Sequence, residues 1–157
     1  MTETKTLMTV MAAALQDIKV VDLTRTLAGP FCTMMLGDMG ADVVKIEEPE
    51  QGDETRAWTP FWNQESTQFL SFNRNKRSLS LNITNPAGRV VFEDLIRVSD
   101  VVYSNLRGDV PARLRIRYDD LKVLNPRVVC CSLSGFGMTG PRAKDPAYDY
   151  ILQGLAG

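Results

Sequence analysis

The 157-residue chain contains no histidine. That absence excludes Ser-His-Asp and Cys-His machinery, a histidine general base and any histidine-bearing zinc site. Chemistry in this chain therefore rests on carboxylates, lysine, thiol, hydroxyl or backbone amides, and no metal site is expected. Cysteine is scarce. Cys32, Cys130 and Cys131 make an odd set with one adjacent pair, which does not fit a disulfide framework. A reducing compartment follows, cytoplasmic in the first instance, with the mitochondrion as the alternative. No apolar run reaches transmembrane length. The stretch from Leu7 to Leu15 has the look of a signal core, but Glu3 and the lone Lys5 make a poor basic flank. Residues 1–16 read better as a loose tail. Charge of one sign is missing too. Eighteen Lys+Arg against 19 Asp+Glu leave a net charge of -1, so there is no electrostatic case for nucleic acid or an acidic membrane surface.

What the chain does have is ordinary globular material, 44% apolar and 24% charged, at a length that buries a real core without staples. From Ile18 onward, short β-branched runs alternate with helix-like segments. Residues 18–23 read as a buried strand, and Pro30 suits a first helical turn. Phe31, Met34, Met35 and Met39 form a helical stripe that Gly40 ends. Residues 42–47 are the next strand, completing a parallel β-α-β unit. Residues 48–71 break into Gly, Pro, acids and two Trp, and are expected to be a functional loop. A strand over 79–83 follows. Asn85-Pro86 then opens a helix with Val90, Val91, Leu95, Ile96 and Val98 on its apolar side. Strands at 100–104 and 127–133 flank a short helix at 118–124. The fold class is α/β, a Rossmann-like, doubly wound, mostly parallel sheet. Residues 147–157 begin an amphipathic helix that stops after about two and a half turns, which suggests a truncated chain.

Several motifs bear on chemistry. Gly135, Gly137 and Gly140 are formally a G-x-G-x-x-G. A dinucleotide site needs a helix opening on those glycines, whereas Pro141 and a polar run follow here. A glycine-rich active-site flap is the preferred reading, and a nicotinamide site the alternative. The first β-α turn, residues 24–30, lies where open α/β sheets bind ligands; an ordinary capped turn is equally compatible. The basic cluster 73–77 is a candidate for gripping phosphate, while Arg56, Arg107, Arg113, Arg115 and Arg117 are scattered elsewhere and read as surface charge. Asp149 opens the last helix beside the glycine loop; its alternative role is to satisfy the helix dipole. Glu47 and Glu48 read as strand-end and loop charges. One of Cys130 and Cys131 is a small buried hydrophobe.

In series, Val21-Asp-Leu-Thr-Arg-Thr-Leu-Ala-Gly-Pro30, Leu36-Gly-Asp-Met-Gly-Ala-Asp-Val-Val-Lys-Ile-Glu47 and Gly52-Asp-Glu-Thr-Arg56 are followed by three more segments. These are Asn73-Arg-Asn-Lys-Arg-Ser78, Asn125-Pro-Arg127 and Ser134-Gly-Phe-Gly-Met-Thr-Gly-Pro141. From about Ile18 to Gly157 this resembles the N-terminal part of the class III coenzyme A transferases (CaiB/BaiF type). That family includes formyl-CoA and succinyl-CoA:carboxylate transferases and acyl-CoA racemases. The resemblance implies an interlocked homodimer acting on an acyl-CoA such as succinyl-CoA and on a small carboxylic acid. Coenzyme A is a substrate there, with no permanently bound cofactor.

The resemblance also implies an aspartyl nucleophile with covalent intermediates, which suits a chain without histidine. It makes residues 17–157 the CoA-binding portion, ending before a small domain and a C-terminal part. Leu27, Ala28, Leu81, Thr84, Asn105, Leu106, Arg107 and Arg113 match CoA contacts. Asp149 matches an acid lining the active site, and the nucleophilic aspartate is expected beyond Gly157. Tyr148 stands where racemases carry a catalytic histidine, which favours transferase over racemase, with a racemase or lyase on the same scaffold as an alternative. A non-catalytic CoA-binding or dimerising module is the remaining alternative.

Overall fold

The structure is a computed structural model that describes residues 13–157. Residues 1–12, which hold most of the expected tail and of the apolar run from Leu7 to Leu15, lie outside the described residues. Leu15, in the described part of that tail, is bonded and packed. The Leu15 amide donates to Met39 O at 2.9 Å, and Leu15 and Ile18 pack against Val20, Ala41 and Val43.

The first β-α-β unit forms as expected: β1 is Lys19–Asp22, α1 Ala28–Asp38 and β2 Asp42–Glu47. β5 is Lys76–Ser80, β6 Val101–Ser104 and β7 Val129–Ser132. They join β1 and β2 in one five-stranded sheet of order β5-β2-β1-β6-β7, with every pair parallel. The chain builds outward from β1 through β2 to β5, then returns to β6 on the other side of β1. The switch point therefore lies between β1 and β6, where a doubly wound sheet leaves a crevice at its strand carboxyl ends.

The two faces differ in kind. Alternation along each strand sends successive side chains to opposite faces. On one face Val21, Leu23, Ile46 and Val102 pack with Phe92, Ile96, Ile116, Leu121 and Val128 into the main apolar core. Phe92 and Ile96 belong to α3, Pro86–Arg97, whose first turn is capped by the Asn85 side chain accepting from Ala87 N at 2.9 Å. Leu121 ends α5, Tyr118–Leu121. The expected apolar side of α3 is corrected here. Val90, Val91 and Val98 are exposed, while Phe92 and Ile96 are buried, because an i, i+4 pair is what one helix face turns to the sheet.

The opposite face lies under α1 and carries charge. Asp22, Lys45 and Ser78 stand in one register row across β1, β2 and β5. The methionine stripe of α1 is likewise corrected. Phe31, Met35 and Met39 are exposed, and the helix buries Gly29, Pro30, Thr33 and Met34.

The loop at 48–71 proves partly regular. A 3-10 turn at Glu54–Ala57 precedes a small hairpin of β3, Phe61–Trp62, and β4, Glu65–Ser66. Helix α2, Thr67–Asn73, follows, capped by Ser66 Oγ accepting from Phe69 N at 3.3 Å. β5 begins three residues before the expected strand, because its basic start points into the charged face. Two short helices complete the chain's return: α4, Val110–Arg113, which sequence reading missed, and α6, Asp149–Ala156. None of the helices in the described residues is long and apolar enough to cross a membrane.

Candidate functional site

The site grows from the ionic face. Lys76 Nζ lies 3.0 Å from Asp22 Oδ2, 3.0 Å from Pro30 O and 2.9 Å from Asn73 Oδ1, one acceptor for each proton of the ammonium. Asp22 uses its other lone pairs on Thr24 N at 2.8 Å, Thr24 Oγ1 at 2.5 Å and Thr33 Oγ1 at 2.7 Å. Burial pulls the Lys76 pKa below its usual 10.5, with Asp22 opposing it. Lys45 is 1% exposed. Its Nζ meets Asp53 Oδ2 at 2.8 Å and Thr24 O at 2.7 Å. Among the described residues that ammonium is the only counterpart of Asp53 Oδ2. Burial raises the Asp53 carboxyl, but Lys45 and the bonds from Thr55 outweigh it and hold it below 3.8. Glu47 is pinned by Arg56 through two 2.7 Å bonds, by Ser78 Oγ at 2.6 Å and by Asp53 N at 3.0 Å. Burial works against its ionised form, yet these donors lower it to about 2.

These findings correct two expectations. Glu47 is a buried structural acid rather than a strand-end charge. The basic cluster is taken up inside the chain. Lys76 pairs with Asp22, Arg74 with Asp38 at 2.6 Å, Arg77 with Asp42 at 2.6 Å and Arg56 with Glu47. Of the four only Lys76 is buried; Arg74 and Arg77 keep exposed side chains within surface pairs.

The network fixes the first β-α turn. Lys45 holds Thr24 O, and Asp53 Oδ1 accepts from Thr26 N at 3.3 Å. Between them, Asn105 grips Arg25 on both sides, accepting from Arg25 N at 2.8 Å and donating to Arg25 O at 2.7 Å. Thr26 is held at φ 66° with its hydroxyl donating to Glu54. A β-branched residue in that region costs about 1–3 kcal/mol, and such strain gathers at ligand sites. Gly29 lets the turn fold back so closely, since a Cβ there would fall 2.5 Å from Thr24 Cβ and 2.9 Å from Asn105 Cγ.

Beside this turn opens a cavity of about 560 Å³, within the size range of small-molecule sites. Its floor is the turn from Arg25 to Ala28 with Asn105, Leu106, Arg107 and Gly108. One wall is Glu54, Thr55, Trp58, Gln68 and Phe72, and the other is Ser134, Gly135 and the stretch from Asp145 to Tyr150. Two helix N-termini meet it, those of α1 and α6, and neither has a side-chain cap. Their free amides favour an anion. Gly108 lets the glycine loop lie down, because a Cβ there would come 2.2 Å from Gly137 O. Arg142 stacks on Phe136 at 3.8 Å and pairs with Asp145 at 2.9 Å, which ties the loop to itself.

Of the residues expected at the site, Leu27, Ala28, Asn105, Leu106, Arg107, Gly135 and Asp149 line the cavity. Asn105 spends its amide on the backbone of Arg25. Arg107 is chelated by Asp109 at 2.6 and 3.0 Å. Asp149 Oδ2 accepts from Gln153 Nε2 at 2.6 Å. Leu81 packs on the apolar core, Thr84 closes a turn on Asn82, and Arg113 sits on α4 away from the lining. Gly137 and Gly140 belong to the loop behind Gly135, at φ 82° and 89°. Sequence reading covered Arg25 and Thr26 only as part of the turn at 24–30, from its place at the β1 carboxyl end, and it missed Glu54, Trp58, Phe72 and Asp145. Cys130 and Cys131 have thiols pushed up by burial, the opposite of an activated nucleophile. Burial, with Cys32 and Cys131 beside it, raises Tyr103 to about 12, so this phenol stays neutral. Among the described residues no three Cys, Asp or Glu gather as metal ligands would.

The fold and cavity define an α/β protein with a cleft of small-molecule size at the switch point of a parallel sheet. Comparison narrows the class. The model of CoA-transferase family III matches residues 15–157, and the chain belongs to that family. It is 44% identical over 150 residues to the succinate–glutarate CoA-transferase of Agrobacterium fabrum, covering 91% of this chain and 38% of that protein. It is 44% identical over 138 residues to the acetyl-CoA:oxalate CoA-transferase of Acetobacter aceti, covering 88% and 36%. The crystal structure of a CaiB/BaiF family protein from Brucella suis superposes with a TM-score of 0.85 at 38% identity, covering 93% of this chain and 40% of that one. The chain thus spans less than half the length of these relatives.

Proposed function

We propose that the chain forms the acyl-CoA-binding wall of a CoA-transferase that moves CoA from an acyl-CoA such as succinyl-CoA to a carboxylic acid. The carrying observation is the cavity at the carboxyl ends of β1 and β6, flanked by two uncapped helix N-termini, in a chain of CoA-transferase family III. The names of the two enzymes compared, acting with succinate, glutarate and oxalate, support the carboxylate acceptor.

In this reading Leu27, Ala28, Asn105, Leu106 and Arg107 face the CoA, with Arg113 at its outer reach, and Leu81 and Thr84 support that edge. Asp149 stands beside the acyl group. An aspartate outside these 157 residues attacks the thioester carbon and expels CoA thiolate. The thiolate then attacks the enzyme-side carbonyl of the mixed anhydride and releases the first acid. The acceptor carboxylate repeats the sequence in reverse and restores the aspartate. The loop carrying Gly135, Gly137 and Gly140 covers the intermediates against water. The working unit is a homodimer in which a partner covers the exposed Tyr150, Ile151 and Leu155 of α6, in a reducing, cytoplasmic-type compartment that keeps the three thiols free.

Calorimetry of the chain against CoA and NAD tests the reading. CoA is expected to bind and NAD not; NAD binding without CoA binding would overturn it. Incubation with succinyl-CoA and a dicarboxylate is expected to leave no covalent CoA adduct by intact mass. An adduct would place the nucleophile within the chain.

A further inference from the structure

Among the described residues, the cavity lining holds one cation without a carboxylate partner, the exposed Arg25. The lining carries two arginines and three acids. Arg107 is chelated by Asp109, Asp145 pairs with Arg142, Asp149 is engaged by Gln153, and Glu54 accepts the Thr26 hydroxyl. Among the described residues no carboxylate pairs with Arg25. Its backbone, by contrast, is the most firmly held in the site. Both its N–H and C=O are bonded to Asn105, Thr24 O before it is held by Lys45, and Thr26 N after it is held by Asp53. Three residues in a row are thus anchored by polar side chains, of which Lys45 and Asp53 are buried, and among the described residues the middle one presents a guanidinium with no carboxylate partner.

A monoacyl thioester brings no charge of its own into this space, whereas the monothioester of a dicarboxylic acid brings a full negative charge at the far end. Glu54, Asp145 and Asp149 would repel that charge, and desolvation would oppose it unless a cation met it. A guanidinium is the donor suited to a carboxylate, binding both oxygens at once. We infer that Arg25 is a specificity-determining residue that binds the free carboxylate of a dicarboxylic acyl group, selecting diacid over monoacid CoA esters. The inference rests on the reading of this cavity as an acyl-CoA site. The same guanidinium could in chemistry meet a CoA phosphate, and the test separates the two.

The test titrates the chain, and its Arg25→Gln and Arg25→Lys variants, with CoA, butyryl-CoA and succinyl-CoA by calorimetry, with thermal unfolding as the control for folding. Asn105 holds the backbone of residue 25, so both variants are expected to melt with the parent. In the parent, succinyl-CoA is expected to bind about 10- to 100-fold more tightly than butyryl-CoA, the range of a charge-assisted bond. Arg25→Gln removes that preference and leaves CoA and butyryl-CoA unchanged, and Arg25→Lys retains part of it. Equal weakening of all three ligands by Arg25→Gln would assign Arg25 to a phosphate and overturn the inference. So would a parent that binds both esters alike. If a folded parent binds none of the three, the acyl-CoA reading itself fails, which is a different result.

Discussion

One sheet in this protein has two interiors. Along β2, Val44 and Ile46 turn to one face, and Val43, Lys45 and Glu47 turn to the other. The first face meets Phe92 and Ile96 of α3 and is an apolar core. The second meets α1 and holds two buried ion pairs, Lys45–Asp53 and Lys76–Asp22. Apolar burial yields stability in rough proportion to area. Buried ion pairs yield little net stability, because desolvation offsets their attraction. What the charged face supplies is position: apart from the Lys76 bond to Asn73, its bonds end on residues 22–33, or on Asp53 and Glu47, which brace them. The α3 side holds the molecule together, and the α1 side positions the turn that lines the cavity.

The comparison can be broken first at Asp22. Asp22→Ala leaves the Lys76 ammonium buried without its counter-ion, and the expected loss is about 3–5 kcal/mol in denaturant unfolding. Adding Lys76→Met should restore part of it, since the stranded charge is gone. On the apolar side Ile96→Val should cost only about 0.5–1.5 kcal/mol. An Asp22→Ala loss no larger than that would mean the ion pair is not truly desolvated.

The next effect is pH-dependent. The folded-state pKa of Glu47, about 2, lies below the ordinary 4.5, so the native state favours its charged form. Its contribution is complete above about pH 4.5 and is lost as pH falls toward 2. It amounts to roughly 2 kcal/mol after allowing for screening at the half-exposed Arg56. Glu47→Gln should flatten the unfolding free energy across that window; an unchanged acid limb would show that Glu47 does not titrate there.

Much of this architecture is legible in the sequence, and the reasons are local. The β-branched runs at 18–23, 42–47 and 100–104 mark strands because one face of each is packed apolar core. Asn85-Pro86 marks the start of α3 because a cap and a first-turn proline act within one turn. The parallel order and the crevice follow from alternation of strand and helix. The charged face is illegible for the converse reason. Lys76 is neutralised by Asp22, 54 positions earlier in the chain, so nothing near the cluster at 73–77 distinguishes a buried lysine from a surface one. The methionine stripe of α1 misleads because that helix packs on charges and hydroxyls, which favours Thr33 over Phe31 or Met35. At the site, family resemblance picks out Leu27, Ala28, Asn105 and Arg107. It passes over Arg25 and Thr26, whose importance lies in backbone anchoring and a positive φ that residue type does not announce.

The most direct test of the division between the two faces is a paired measurement on the Lys45→Met, Asp53→Asn double variant. It removes the buried charges yet keeps an acceptor for Thr26 N and Thr55 N, so the only bond lost to the turn is that to Thr24 O. Stability should fall by no more than about 1–2 kcal/mol, the cost of one unsatisfied carbonyl, while affinity for succinyl-CoA falls at least about tenfold as Arg25 loses its fixed aim. A double variant that binds succinyl-CoA as tightly as the parent would contradict the account, since the charged face would then serve no purpose at the site.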